Sequence, residues 1–491
     1  MCRAAIPFRR VPNDTYRLSA KTWTRSQLLS MLTPKDGRGK RATCKPMQPS
    51  DMKAQDRKVA GIDIGAETHY VAVPADSSDE PVRSFGCFTA DLHQMAGWLR
   101  DCGVESVAME STGVYWIPVY EVLEQYGFEL SLVDARQVSN VPGRKTDVLD
   151  CQWIQQLHTF GLLRGCFRPT GDVVVLRAYW RQRLHLVESA SRQILLMQKA
   201  LEQMNVQLHK VLSDITGVTG TAIIRAIVGG ERRPQALAAM RQRGVKNDEA
   251  TIAKALTGTW REEHLFALKQ ALELFDIYHE KIRECDEKIE EQMSRFAPKS
   301  DPKDLPKKPG GSSRRKNQPH FDVRRELYRM TGVDLTRIDG IDELTALTVI
   351  SECGTDVTNF ATEKHYSSWL GLCPNNRITG GKIKKRRTRD VQNRAAQSLR
   401  LAAQSLHHNK SALGAYYRRM AARVGVSKAI TATAHKLAIL IYRMLKYGMD
   451  YTDQGQQYYE ERYRERVLKA LDKHAATLGY QLVPLQEGGV S

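Results

Sequence analysis

Between residues 59 and 160 the chain alternates short apolar runs of strand length with turns and helical stretches in a fixed order. Residues 59–64, 69–73 and 82–88 read as three consecutive strands, the first two joined around Gly65. A helix over 91–100 follows, with Leu92, Met95, Trp98 and Leu99 at helical spacing and Asp91 near its start. Residues 106–109 form a strand of the fully buried type. Then come a helix over 115–126, a fifth strand over 129–133 and a helix over 146–160. An α/β domain with one open sheet is the expected result. In such sheets, sites gather at strand ends.

Three strands as a meander, then two strands each preceded by a helix, is the layout of an RNase H-like domain. Four carboxylates fall where its site belongs. Asp63 and Glu110 each close an apolar run, while Asp147 and Asp150 stand three apart, where a helix puts both on one face. Convergence of that kind points to a metal site. Hard divalent cations prefer oxygen ligands, and paired ions bridging a phosphate stabilise both the attacking and the leaving oxygen of an in-line displacement.

The middle of the chain is helical. Trp180, Val187, Ile194, Leu201 and Leu208 recur every seven residues, with Ala190, Met197 and Met204 between them. Leu268, Phe275, Ile282 and Ile289 repeat the pattern, with Ala271, Tyr278 and Cys285 filling the seam. Sustained heptads predict two long helices in a coiled coil, packed on each other or on another subunit. Residues 219–260, with Gly-Gly and Arg-Arg-Pro, read as a small irregular helical insertion. Residues 298–319, rich in Pro, Gly, Ser and Lys, read as a flexible basic linker. Beyond it, 335–350 resembles a helix-hairpin-helix whose Gly340 turn offers backbone amides to a phosphate, and reads equally as an ordinary turn between helices. The expected divisions are thus a basic leader over 1–57, a catalytic domain over 58–170, a helical region over 171–297, a linker over 298–320, a C-terminal domain over 321–455 and a helical tail over 456–491.

Charge limits the partners. In 491 residues, 74 Lys and Arg stand against 55 Asp and Glu, a net charge of +19, so polyanions are the expected ligands. The excess is local: residues 1–58 carry 14 basic and 4 acidic residues, and 376–400 carry 9 and 1. No apolar stretch approaches the roughly 18 to 20 residues of a membrane helix, and no signal-peptide core is present. The nine cysteines are scattered, without zinc spacing or a disulfide framework, which suits reduced thiols in the cytoplasm. The leader shows no sustained periodicity and reads as disordered; Met52 lies just before the first strand, so the leader reads first as an extension the fold does not need, then as a nucleic-acid-binding arm, and last, on its Arg and Ser content, as an organelle-targeting segment.

The second basic patch surrounds a hydroxyl. Thr379 is followed by Gly380 and Gly381 and lies among Arg377, Lys382, Lys384, Lys385, Arg386 and Arg387. Small neighbours let a backbone approach that hydroxyl, and the cations can hold a phosphodiester and stabilise its developing charge. Taken alone, Thr-Gly-Gly reads as a turn in a phosphate-contacting loop before it reads as a nucleophile. Helices over 393–407 and 427–447 support the loop.

Four motifs occur together: Gly-Ile-Asp-Ile-Gly-Ala-Glu-Thr-His, Met-Glu-Ser-Thr-Gly-Val-Tyr-Trp, Gly-Arg-Lys-Thr-Asp-Val-Leu-Asp, and Trp-Leu-Gly-Leu-Cys-Pro with Ile-Thr-Gly-Gly-Lys. In this order the chain, from Val59 to Tyr451, resembles a DEDD transposase of the IS-one-ten insertion-sequence family. The resemblance implies a RuvC-like N-terminal domain joined by a coiled coil to a C-terminal transposase domain. It implies site-specific recombination of an insertion sequence, guided by a structured noncoding RNA that pairs with donor and target DNA. It implies Mg²⁺ held by Asp63, Glu110, Asp147 and Asp150, a homo-oligomer (dimer or tetramer), and a bacterial cytoplasmic enzyme that joins the nucleoid when bound to DNA. The family's second catalytic element is a C-terminal serine that attacks the DNA backbone and forms a covalent link. Here Ile378 and Thr379 stand in its place. Thr379 supplies the same attacking oxygen, with a methyl group that crowds the approach; Ser367 and Ser368, upstream, read as helix residues.

Two rival readings come from other classes. A sugar-kinase or actin-like ATPase shares the sheet and the Gly-x-Asp-x-Gly turn but explains neither the basic loop nor the Asp147 and Asp150 pair. A RuvC-like endonuclease that cuts branched DNA needs the acids but not Thr379.

Overall fold

The computed structural model describes residues 15–18, 21–24, 58–111, 113–138, 146–169, 171–307, 317–380, 382–385, 387–389, 391 and 393–481. The chain divides into two compact units. One comprises residues 1–168, 357–446 and 454–491, the other residues 169–356 and 447–453. The segments 321–356 and 357–446 therefore lie in different units.

In the first unit, β1 (Thr15–Leu18) and β2 (Lys21–Thr24) pair antiparallel, a departure from the irregular leader expected over 1–57. Thr, Tyr and Trp, which suit a pleated strand, supply the local preference. The rest of the leader lies outside the described residues. The main sheet holds β3 (Val59–Ile64), β4 (Thr68–Ala72), β5 (Val82–Gly86), β6 (Ser106–Glu110) and β7 (Glu129–Val133), in the order β5-β4-β3-β6-β7. The meander β3-β4-β5 is antiparallel, whereas β3 with β6 and β6 with β7 are parallel. Helices α1 (Thr89–Asp101) and α2 (Trp116–Gln125) cover one face. There Ile62, Ile64, Val71 and Met109 pack with Leu92, Met95, Leu99, Val119 and Leu123. Asp91 fixes the start of α1 by accepting the Phe88 N–H at 3.2 Å. Helix α3 (Asp147–Thr159) covers the other face through Ile154, against Ala108 and Val133. With both faces covered, β3 and β6 are apolar almost throughout, as buried parallel strands require.

The second unit is built on α4 (Asp172–Gln203) and α5 (Glu262–Ser294). The two heptad stripes meet each other, and the helices run antiparallel. Gln292, near the end of α5, donates to the Asp172 carboxylate at 2.9 Å at the start of α4, while Met197, Ala200 and Leu201 cluster with Leu268, Ala271 and Phe275. One level of the seam is ionic. Arg183 and Asp286, each with a side chain 2% exposed, form a salt bridge there. Arg183 also donates to the Asn317 carbonyl at 3.0 Å, and Asp286 accepts the His320 N–H at 3.2 Å. Residues 308–316 of the expected linker lie outside the described residues; on its near side, Ser300 donates to the Tyr328 carbonyl and Arg324 to that of Pro306. Helices α6 (Val323–Thr331) and α7 (Glu343–Cys353) flank the Gly340 turn, where φ is +87°. The Asp342 carboxylate accepts the Thr345 N–H at 2.9 Å, so the chain caps the start of α7 itself, which favours the ordinary-turn reading of this hairpin.

The first unit resumes with a short helix over Glu363–Trp369 and a hairpin, β8 (Arg377–Thr379) and β9 (Lys382–Lys385), followed by α8 (Arg394–Ser405), α9 (Ala412–Val424), α10 (Val426–Tyr447) and α11 (Gly455–Thr477). An aromatic cluster joins this part to the end of the sheet domain. The Phe167 ring lies 5.1 Å from that of Phe360 and 5.2 Å from that of Trp369, and the Tyr442 hydroxyl donates to the Phe360 carbonyl at 2.7 Å. Among the described residues, no helix is long and apolar enough to cross a membrane.

Replacing one partner of the seam ion pair strands the other in an apolar interior. Asp286→Asn is expected to cost about 3–5 kcal/mol, whereas Arg183→Met with Asp286→Leu recovers most of that loss. Urea unfolding followed by circular dichroism checks both, and equal midpoints for wild type and Asp286→Asn contradict the assignment.

Candidate active site

The carboxylates are placed by how α3 lies across the sheet. Its Gln155 amide donates to the Val59 carbonyl at 3.4 Å, and His158, in its last turn, meets the Ser106 hydroxyl at 2.9 Å. Val59 and Ser106 are the first residues of β3 and β6. The end of α3 therefore lies over the start of these strands. Its first turn, with Asp147 and Asp150, lies over their carboxyl ends.

Asp63 and Glu110 wait at that edge. The parallel register pairs Gly61 with Ala108 and Ile62 with Met109, so Asp63 and Glu110 stand side by side one step further on. Adjacent strands are about 4.8 Å apart. Gly61 and Ala108, two residues earlier and hence on the same face, pack against α3. Asp63 and Glu110 thus share the face that α3 covers.

Gly61 sets the closeness of this packing. A Cβ there would overlap the backbone of Cys151 and Gln155, so only glycine lets the helix come down onto the strand. The Cys151 thiol senses the result. Its pKa is pushed up to about 12, first by burial, then by the negative charge of Asp63, with Asp150 adding to it. Asp63 and Asp150 therefore act on the same buried atom.

Thr146 caps α3, its hydroxyl accepting the Leu149 N–H at 3.4 Å. Asp147 and Asp150 lie in its first turn. Asp63, Glu110 and Asp150 are half-buried, while Asp147 is exposed. Among the described residues, no three His, Cys, Asp or Glu side chains are grouped closely enough to hold a metal ion as they stand. The structure brings Asp63, Glu110 and Asp150 to one edge of the sheet and leaves Asp147 on the outer side of the same turn. Residues 139–145, which lead into this turn, lie outside the described residues. The donor chemistry, carboxylate oxygen throughout, suits a hard divalent cation.

Thr379 closes the second element. It is the last residue of β8 and pairs with Lys382 across a two-residue turn, where Gly380 takes a φ of +57° with open space around it. Such a turn needs glycine-like backbone, so Gly380 is explained by the hairpin itself, while Gly381 lies outside the described residues. Paired residues share a face, which puts Thr379 with Lys382; Lys384 follows at a break in the register. All three are exposed, as is Arg387. Ile378, opposite Ile383, is 62% exposed. The side chains of Arg377 and Lys385, and all of Arg386, lie outside the described residues. Ser367 and Ser368 are helical as expected; Ser367 is buried and bonds back to the Glu363 carbonyl at 2.8 Å.

Sequence reasoning missed the anchors of this site. Gly61, Gln155 and the Ser106–His158 contact hold α3 in place, and only the unusual Gly within an apolar strand signalled any of them. A family model for DEDD transposases of the IS110 (IS-one-ten) type matches residues 60–206. A second, for transposases of the IS116/IS110/IS902 family, matches residues 334–418. No curated protein gives a match.

Gly61→Ala should push α3 away from β3 and cost about 1–3 kcal/mol, as overpacking of a close contact does. A shift in the urea midpoint measures it, and wild-type stability would show that the helix does not sit on that glycine.

Proposed function

Because the chain belongs to the IS110 family of transposases, we propose that it recombines DNA through two chemical elements: the acids at the sheet edge and the hydroxyl of Thr379. Its transposase activity follows from the family; the division of labour is our reading. The observation that carries it is the arrangement of α3, whose first turn lies above Asp63 and Glu110. The order β5-β4-β3-β6-β7, with the antiparallel meander on one side, supports reading the sheet as an RNase H-like, RuvC-like catalytic domain. The heptads shared by α4 and α5 support reading that pair as a coiled coil.

In this proposal Asp63, Glu110, Asp147 and Asp150 hold Mg²⁺. Mg²⁺ bound there supplies positive charge at the scissile phosphate. Lys382, paired with Thr379 across the hairpin, together with Lys384 and Arg387 holds the phosphodiester and offsets its developing charge. Thr379 Oγ attacks phosphorus and forms a Thr–O–P bond while the P–O bond to the departing sugar breaks. The threonine proton is released, and the sugar oxygen leaves as a hydroxyl. Reversal with a second strand rejoins the DNA. A guide noncoding RNA selecting donor and target, and assembly as a homo-oligomer, complete the proposal. The +19 net charge, with its concentration at 376–400, suits two nucleic-acid partners.

The test combines purified protein, both DNA partners, Mg²⁺ and the RNA encoded beside the reading frame, and follows covalent protein-DNA adducts on denaturing gels. Asp63→Asn and Glu110→Gln should each slow strand cleavage roughly 1,000-fold or more, because several kcal/mol of charge stabilisation is lost. Thr379→Ala should abolish the adduct and Thr379→Ser retain it. A full adduct yield from Thr379→Ala would falsify the nucleophile, and cleavage without any adduct in wild type would favour a resolvase-like nuclease.

A further inference from the structure

Beyond the end of the second matched segment at residue 418, α11 crosses α9 and gathers a patch of cations against tyrosine rings. The Arg419 guanidinium of α9 lies 3.4 Å from the Tyr463 ring centroid and 5.7 Å from that of Tyr459. Tyr459 meets Tyr416 edge-on at 6.1 Å, and the Lys436 ammonium of α10 lies 4.4 Å from the Tyr416 ring. Arg419, Arg466 and Arg423 all act electrostatically on the Tyr459 hydroxyl.

The acid next to Tyr459, Glu460, accepts from the Gln456 amide at 2.6 Å rather than from these cations. Arg423 turns to the Met420 sulfur and Arg466 to a carbonyl of its own helix. Among the described residues no carboxylate forms an ion pair with Arg419, Arg423, Lys436 or Arg466. Helical spacing turns Glu461, Glu465 and Asp472 to the side of α11 opposite Tyr459, Tyr463 and Arg466. One guanidinium nitrogen, Arg419 Nη1, is shut off from solvent with no hydrogen-bond acceptor. Cations gathered without a paired carboxylate, beside aromatic rings, favour an anionic ligand. Burial, and then the neighbouring charge of Arg466, hold the Lys436 pKa below its ordinary value, as expected where cations are gathered without a counter-charge.

We propose that the junction of α9, α10 and α11 is a binding site for the phosphodiester backbone of a nucleic-acid strand, with Arg419, Lys436 and Arg466 as its phosphate ligands. Guanidinium forks match phosphate oxygens. The stripe from Tyr416 to Arg423 extends about 10 Å along α9, more than one phosphate group needs. The site is separate from the Thr379 hairpin and serves to hold a strand rather than to cut it. It rests on the reading of the chain as an enzyme of nucleic acids.

Fluorescence anisotropy with the full-length protein, using labelled single-stranded RNA and single-stranded DNA in a salt series without Mg²⁺, tests it. Arg419→Gln, Lys436→Gln and Arg466→Gln combined should weaken binding at least about tenfold and flatten the log-affinity against log-salt slope by about 2, three contacts at roughly 0.7 each. Loss with both strands supports general backbone recognition. Loss with RNA alone or DNA alone supports the site and identifies its strand. Arg419→Lys with Arg466→Lys, which keeps the charge but loses the forks, should weaken binding less than the triple variant and keep the wild-type salt slope. Unchanged affinity and slope in the triple variant overturn the site, as does equal loss in the charge-preserving variant. Because neither cleavage nor metal enters this readout, failure of the chemistry proposed above leaves it intact.

Discussion

The close descent of α3 onto β3 is the contact on which the acidic edge depends. Without a side chain at Gly61, the backbone of Cys151 and Gln155 reaches the strand, and the helix axis is fixed by bonds at Val59 and Ser106. From that single fit follows the position of the first turn, and with it the approach of Asp150 to Asp63. The carboxylates are therefore gathered by apolar and backbone packing, not by attraction for one another. Gathering like charges is unfavourable unless a cation offsets it.

The sheet domain was legible because each element has one dominant physical signal. Its five strands are bounded by turns, and α1 and α2 show their apolar faces at helical spacing, so predicted and observed ends differ by no more than two residues. The acids, too, announced themselves by ending apolar runs. What was not legible was how α3 sits. The contacts that orient it join residues about 50 to 100 positions apart, such as Ser106 with His158 and Gln155 with Val59, and no local period encodes them.

The helical unit shows the same division. Heptads marked α4 and α5 as long helices, but no local pattern singles out Arg183 and Asp286. Their burial comes from a partner helix some hundred residues away. A buried ion pair in such a seam favours one alignment of the helices over sliding neighbours, since any shift strands both charges. The basic hairpin is the reverse case. Its cations were conspicuous in the sequence, and so was its Gly-Gly pair, yet the turn geometry accounts for Gly380 without a catalytic role. The aromatic and cationic junction of α9, α10 and α11 had no sequence signature, because its members are spread over about fifty residues at spacings that become a surface only after three helices pack.

The central claim is that Asp63, Glu110, Asp147 and Asp150 form one cation site beneath the first turn of α3. Electron paramagnetic resonance of added Mn²⁺ tests it most directly. The account predicts saturable Mn²⁺ binding that Mg²⁺ displaces, and that Asp63→Asn and Asp150→Asn each weaken while circular dichroism stays unchanged. Mn²⁺ binding of equal strength and number in wild type and both variants would contradict it.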